Sequence, residues 1–237
     1  MTSAFGQFCP IAVASEIFAE RWTPMILREL FAGSEHFNDI HRGVPLMSRA
    51  LLVRRLRELE ETGVITMEAL DGKRGHRYRL TPAGEEFRSI VEGLGRWGQR
   101  WTVRVERRNL DPGFLMWNVR RRIALSGLPE RRVVACFRFS GIPRGYRGPR
   151  VFWLLLERTG AEMCVADPGF EVDIEIEADL GTLASVWLGD IPFDAGLASK
   201  GIRLMGPRAL TSAFPAWLML SKFAQVPRPS TVGGGRT

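Results

Sequence analysis

The segment from Ser48 to Gly63 sets leucines and arginines on opposite sides of one helix. At about 100° per residue, Leu52, Leu56 and Leu59 fall on one face, Ala50, Arg54 and Arg57 lie roughly opposite, and Arg49 and Arg55 flank the stripe. Ser48 is placed to cap the helix and Gly63 to stop it. A helix of this kind must bury its leucines against other elements, so its arginines face outward. Two short strands follow, residues 64–68 and 76–80. They flank the tip Asp71-Gly72-Lys73-Arg74-Gly75 and read as a hairpin with a cationic end.

Three helices are predicted ahead of this pair. Residues 12–21 carry Val13 and Ile17 with Glu16 and Glu20 between them. Thr23-Pro24 restarts a helix, with Thr as N-cap and Pro at the first helical position, and it stops at Gly33. A short helix, residues 37–42, is closed by Gly43. Thr81-Pro82 opens a further helix after the hairpin, through Phe87, Ile90, Leu94 and Trp97 to about residue 105. Helices followed by a basic hairpin make a winged helix-turn-helix, which puts one helix into the DNA major groove and lays the wing along the flanking backbone. The residues expected to meet DNA are Ser48, Arg49, Arg54, Arg55 and Arg57 on the helix, and Lys73, Arg74 and Arg77 on the wing.

Residues 5–105 also resemble a known family. Cys9-Pro10, the run from Arg21 to Leu30, Gly33, His36 to Ile40, Ser48, Leu52, Arg55 to Glu60, Gly63, Tyr78 to Gly84 and Trp97 are similar to the HxlR family of winged-helix regulators. The resemblance implies a homodimer, with the first and last helices of this domain packed across a two-fold axis. It implies a pseudo-palindromic operator in double-stranded DNA.

The composition shifts after residue 104. Residues 104–150 are strongly basic, with Arg120-Arg121-Arg122 and Arg131-Arg132 among them. Residues 112–125 read as a helix. Strands are expected at 133–139, 151–156, 162–165, 172–177 and 202–205, and helices at 180–188 and 207–223. This half is α+β, so the whole chain reads as an α+β protein with a winged helix-turn-helix in front. Val133 to Phe139, Trp153, Val165 to Gly169, Val172 to Leu180, Leu183-Ala184, Trp187 to Asp190, Ile202 to Gly206 and Trp217-Leu218 resemble sterol-carrier-protein-like domains. That resemblance implies an apolar tunnel for a hydrophobic small molecule. Trp153, Trp187, Phe193, Met205 and Trp217 are the candidate lining. The expected domains are residues 1–108, 109–226 and a disordered tail, 227–237.

The formal net charge is +7, nearly all of its cations being arginine. That balance fits a polyanionic partner, although a genome rich in G and C would also favour arginine. Three scattered cysteines, Cys9, Cys136 and Cys164, form neither a disulfide framework nor a zinc site. Histidines 36, 41 and 76 lack the spaced partners of a metal site or a triad, so no enzyme, cofactor or metal is expected. No apolar run approaches the roughly 18 residues of a membrane span. The N-terminus lacks the pattern of a secretion signal, and a cytoplasmic location is expected. The sequence points to a homodimeric, sequence-specific DNA-binding regulator modulated by a hydrophobic ligand in its second domain. The alternative is a redox- or electrophile-responsive regulator acting through Cys9, at a helix start where the dipole favours thiolate, with the second domain only structural or for dimerisation.

Overall fold

The computed structural model describes residues 5–72, 74–102 and 106–229. The chain forms two compact units, Met1–Gly95 and Arg96–Thr237. The first contains α1 (Pro10–Phe18), α2 (Thr23–Phe31), α3 (Phe37–Gly43), α4 (Arg49–Glu61), β1 (Ile65–Ala69), β2 (His76–Leu80) and the beginning of α5 (Pro82–Trp101). Its core joins Ile26 and Leu27 of α2, Ile40 of α3, Leu52 and Leu56 of α4 and Ile65 of β1, all fully buried.

The stop after α4 has a specific construction. Gly63 takes φ +72°, the Val64 N–H donates to the Leu59 carbonyl at 2.9 Å, and the Gly63 N–H donates to the Glu60 carbonyl at 2.8 Å. This double closure satisfies the last carbonyls and needs a residue free of a Cβ penalty at positive φ. The start of α2 differs from the expectation. Trp22 is the N-cap residue, in the left-handed region at φ 80°, while Thr23 is already helical and buried. The cap reading failed because Thr23 packs into the core rather than bonding to the helix end.

The second unit contains the end of α5, α6 (Pro112–Arg120), β3 (Val133–Ser140), β4 (Val151–Glu157), β5 (Gly160–Cys164), β6 (Ile174–Asp179), α7 (Leu180–Trp187), α8 (Phe193–Ala198), β7 (Ile202–Met205) and α9 (Arg208–Trp217). Its sheet has the order β5-β4-β3-β6-β7, with β3 and β6 parallel and the other pairs antiparallel. The division between the units falls inside α5. Gln99, near the end of that helix, is buried in the second unit, where its amide donates to the Leu188 carbonyl at 3.0 Å.

Strand alternation gives the sheet two unlike faces. Phe137 pairs with Phe152 and Ile176, and Ala135 with Leu154 and Ile174. These residues share one core with Met116 of α6, Leu183 of α7 and Phe214 of α9. Their neighbours along the strands form the other face, where Cys164, Trp153, Cys136, Glu175 and Met205 lie in one row across all five strands. None of that row belongs to the helix-covered core.

Two helices are shorter than the sequence suggests. Residues 112–125 and 207–223 were read as helices, but α6 ends at Arg120 and α9 at Trp217. The segments beyond them pair with each other instead. Ile123 bridges Leu218, the Ala124 N–H donates to the Trp217 carbonyl at 2.8 Å, and the Met219 N–H donates to the Arg122 carbonyl at 2.9 Å. A partner 90 residues or more away supplied the hydrogen bonds that a longer helix would have supplied internally.

Asp173 closes the start of the parallel pair. It accepts from the Val134 N–H at 2.8 Å, and Arg131 lies 2.8 Å from its other oxygen. Burial raises its carboxyl, but the bonds from Arg131 and Val134 outweigh that and leave it below the usual carboxylate range. A folded-state value below the unfolded one adds stability above the unfolded value, and that stability is lost as pH falls through the folded one. Asp173→Asn is therefore expected to reduce stability at neutral pH and to flatten its loss below about pH 4, measured by chemical denaturation across pH.

Candidate nucleic-acid interface

The helix-turn-helix is α3 and α4, and their mutual angle is set by a few named bonds. Ser48 caps α4, its hydroxyl accepting from the Leu51 N–H at 3.2 Å. Arg49 donates to the Asn38 side chain at 3.0 Å and lies 4.6 Å over the Phe37 ring, tying the start of α4 to α3. His41 Nε2 donates to the Met47 carbonyl at 2.9 Å across the intervening turn.

Beneath α3 lies a buried charge. Glu29 of α2 is fully buried, and Arg28 Nε donates to it at 3.1 Å. Arg28 also donates to the Gly43 carbonyl at 2.6 Å. A Cβ on Gly43 would lie 1.8 Å from the Glu29 carboxyl carbon, so glycine is required for α3 to sit this close to α2. The sequence reading missed this pair. Its signal was a carboxylate three residues after Ile26, in the apolar phase of α2.

The helix arginines divide into two kinds. Arg54 and Arg57 are exposed on the side away from Leu52, Leu56 and Leu59. Arg54 reaches Glu58 at 3.6 Å, a loose pair one turn away. Arg57 has no hydrogen-bond or ion-pair partner among the described residues. Arg55 is different. Its side chain is only 15% exposed and bridges Glu20, after α1, and Glu58, each at 2.5 Å. The sequence grouped Arg55 with the DNA-facing arginines, but it flanks the leucine stripe closely enough to be drawn into this strut.

The wing is β1 and β2, in register from Ile65 opposite Leu80 to Ala69 opposite His76. The Tyr78 N–H donates to the Glu35 carbonyl at 2.8 Å and His36 bridges Arg77, so a single antiparallel bridge ties the segment before α3 to the wing. The tip turns through Gly72 and Gly75, both at positive φ. Arg74 is exposed there, and Lys73 lies outside the described residues. Arg77 pairs with Glu35 at 3.3 Å. Cys9 is a half-buried free thiol at the N-cap position of α1.

The five candidate ligand-lining residues are not brought to one place. Trp217 is buried in the helix-covered core, its Nε1 donating to the Gly127 carbonyl at 2.9 Å. Phe193 and Trp187 are partly buried against the same core. Trp153 and Met205 share the row on the opposite face of the sheet, Met205 being 43% exposed. Both strand residues have the wrong parity for a lining shared with the helices.

The winged-helix geometry agrees with the comparisons. The model for the HxlR-like helix-turn-helix family matches residues 17–106. The HTH-type transcriptional regulator YvaP of Bacillus subtilis (strain 168) is 30% identical over 112 residues, which is 46% of this chain and 96% of YvaP. Rv3095 of Mycobacterium tuberculosis, another HTH-type transcriptional regulator, is 39% identical over 97 residues. That stretch covers 39% of this chain and 59% of Rv3095. Among solved structures, the redox regulator HypR in its oxidised form is 26% identical with a TM-score of 0.37, over 38% of this chain and 95% of HypR. With a capped arginine-faced helix, a wing beside it and a relative matched over nearly its whole length, the chain belongs, through residues 17–106, to the HxlR-like helix-turn-helix family of DNA-binding transcriptional regulators.

Proposed function

We propose that this chain is a homodimeric, sequence-specific transcriptional regulator whose α4 enters the major groove, and whose second unit responds to a hydrophobic small molecule. The observation that carries the DNA part is the outer face of α4. Arg54 and Arg57 stand exposed opposite a buried leucine stripe, and Arg57 is uncommitted among the described residues. Guanidinium groups so placed suit bidentate bonds to guanine edges, while Arg74 on the wing suits a backbone phosphate.

Two helices support the dimer. On α5, Ile90, Leu94, Trp97 and Trp101 recur at helical spacing and are all exposed, Trp97 at 59%. The apolar α1 has no buried residue, and Ile11 and Val13 stand out from it. A symmetric partner removes such surfaces from water, and two copies of α4 then read half-sites about one helical turn, roughly 34 Å, apart.

The ligand part of the proposal rests on the aromatic density of the second unit, where Phe193 and Trp217 pack on the Phe214 ring and Trp187 lies against the same core. A sterol-carrier-like character for residues 109–226 belongs to this proposal. The second reading, a response through Cys9, is supported by the thiol's place at the start of α1, one of the two helices assigned to the dimer.

In fluorescence anisotropy on a site selected from random DNA, Arg57→Ala is expected to weaken specific binding by about 1–3 kcal/mol. Arg74→Ala is expected to weaken binding to all sequences and reduce the slope of log K against log salt by about one per bound protomer. Arg55→Ala should instead lower stability, by on the order of 1 kcal/mol, because it removes a partly buried strut. Unchanged affinity in the Arg57 and Arg74 variants would remove α4 and the wing from the interface. Native mass spectrometry of the whole chain is expected to show a dimer that Trp97→Glu converts to monomer, and a hydrophobic molecule retained by the wild type. A monomeric wild type refutes the dimer. A ligand-free protein whose DNA response to oxidants vanishes in Cys9→Ser favours the second reading.

A further inference from the structure

The net positive charge of this chain does not reside in its helix-turn-helix unit. Residues 1–95 hold twelve Lys and Arg against thirteen Asp and Glu, whereas residues 96–237 hold twenty-one against thirteen. In the first unit many guanidinium groups are matched internally: Arg42 to Asp39, Arg55 to Glu20 and Glu58, Arg77 and Arg79 to Glu35, Arg88 to Glu85. The family-defining unit is thus slightly acidic, and the appended one is strongly basic.

Much of that excess is concentrated between β3 and β4, in the loop Gly141-Ile142-Pro143-Arg144-Gly145-Tyr146-Arg147-Gly148-Pro149-Arg150. Arg144, Arg147 and Arg150 are exposed, and their side chains have no hydrogen-bond or ion-pair partner among the described residues. Arg107 and Arg108, on the short turn before α6, join Arg144 around a cleft of about 480 Å³. Three carboxylates stand nearby, one of them Asp111, which neighbours Tyr146 and caps α6 by accepting from the Phe114 N–H at 3.0 Å. Glu106 pairs with Arg108 at 2.7 Å, and Asp179 lies 3.7 Å from Arg107. Asp179 is already engaged as the cap of α7, accepting from the Thr182 N–H and hydroxyl at 3.0 and 3.1 Å. Five cations therefore meet three committed anions.

The loop is folded rather than loose. The Phe139 N–H donates to the Arg150 carbonyl at 3.0 Å, and the Tyr146 N–H donates to the Pro143 carbonyl at 3.2 Å. Burial and the neighbouring Asp111 push the Tyr146 phenol up to about 12, although the Gly113 N–H donates to its oxygen. A Cβ on Gly148 would lie 2.5 Å from the Tyr146 ring carbon bearing the hydroxyl, so the chain can turn over that ring only with glycine there. Tyr146 thus mounts the arginines on a fixed base, which lowers the entropy lost when they bind.

We infer that the second unit carries its own phosphate-binding surface, made by Arg107, Arg108, Arg144, Arg147 and Arg150, and that its partner is the sugar-phosphate backbone of DNA. This rests on the reading of the chain as a DNA-binding regulator. Guanidinium pairs bidentately with phosphate oxygens, and arginines spread over an exposed loop suit a repeating polyanion better than a single enclosed anion. Backbone contacts carry no sequence information, so this surface adds affinity and salt dependence, while α4 supplies specificity.

The test is fluorescence anisotropy of the full chain across a salt series, on a random-sequence 40-base-pair duplex (about the length of a two-half-site operator with flanks) and on a selected site. It compares wild type, Arg57→Ala and the triple variant R144Q/R147Q/R150Q. All three replaced arginines are exposed and lie outside α4 and the wing. The triple variant is expected to lower the salt slope by about 2 to 3 per bound protomer on both duplexes, with the preference for the selected site unchanged. Arg57→Ala is expected to lose the preference and keep most of the slope. An unchanged slope in the triple variant, with wild type binding DNA, overturns the second surface alone. Loss of binding to phosphatidylserine vesicles in that variant, with DNA binding intact, overturns it in favour of a membrane partner. A slope change without any selected site supports the surface and overturns sequence-specific regulation. Failure of the wild type to bind either duplex overturns both.

Discussion

Burial of the leucine stripe on α4 is the constraint on which the first unit depends. Leu52, Leu56 and Leu59 share a core with Ile26, Leu27, Ile40 and Ile65, and together they decide which way the helix is turned. Once that face is fixed, the 3.6-residue period puts Arg54 and Arg57 outside with no further instruction. The polar bonds around it refine the geometry more than they create it. Arg49 to Asn38, His41 to the Met47 carbonyl and Glu29 beneath Gly43 hold α3 and α4 at one angle. A charge as deeply buried as Glu29 is tolerable because it is paired, Arg28 neutralising it and hydrogen-bonding to it.

The second unit obeys a period of two in place of 3.6. Its sheet sends Phe137, Phe152, Leu154 and Ile176 into the core and sends Trp153, Glu175 and Met205 the other way. The same rule splits the candidate ligand lining. The sterol-carrier-like resemblance implied one apolar pocket, whereas strand parity assigns the candidate lining residues to two environments. A hydrophobic ligand among the helices would meet Trp187, Phe193 and Trp217, and one on the other face would meet Trp153. The redistribution of charge matters equally. A chain that is basic as a whole proves to have a nearly neutral helix-turn-helix unit and a cationic appendix, a division to which the total of +7 is blind.

Local sequence determined much of this protein. The caps at Ser48 and Gly63, the leucine period of α4, the wing hairpin and the strands β3, β4 and β7 were legible because each depends on neighbours a few residues away. The family resemblance fixed what the first hundred residues do. Tertiary structure decided the rest, because those outcomes depend on partners distant in the chain. Arg55 became a strut because Glu20 lies beside it in space, 35 residues away in sequence. Residues 121–124 left the helix because Trp217, Leu218 and Met219 offered their backbone groups instead. The short helix α8 was missed for a related reason: six residues carry too little period to be read, and it is held by packing of Phe193 and Leu197 against the core. Whether an arginine is free or paired is not a property of its sequence neighbourhood. It is set by which carboxylates the fold brings within about 4 Å, and only the folded chain could separate Arg57, Arg144, Arg147 and Arg150 from the arginines already engaged.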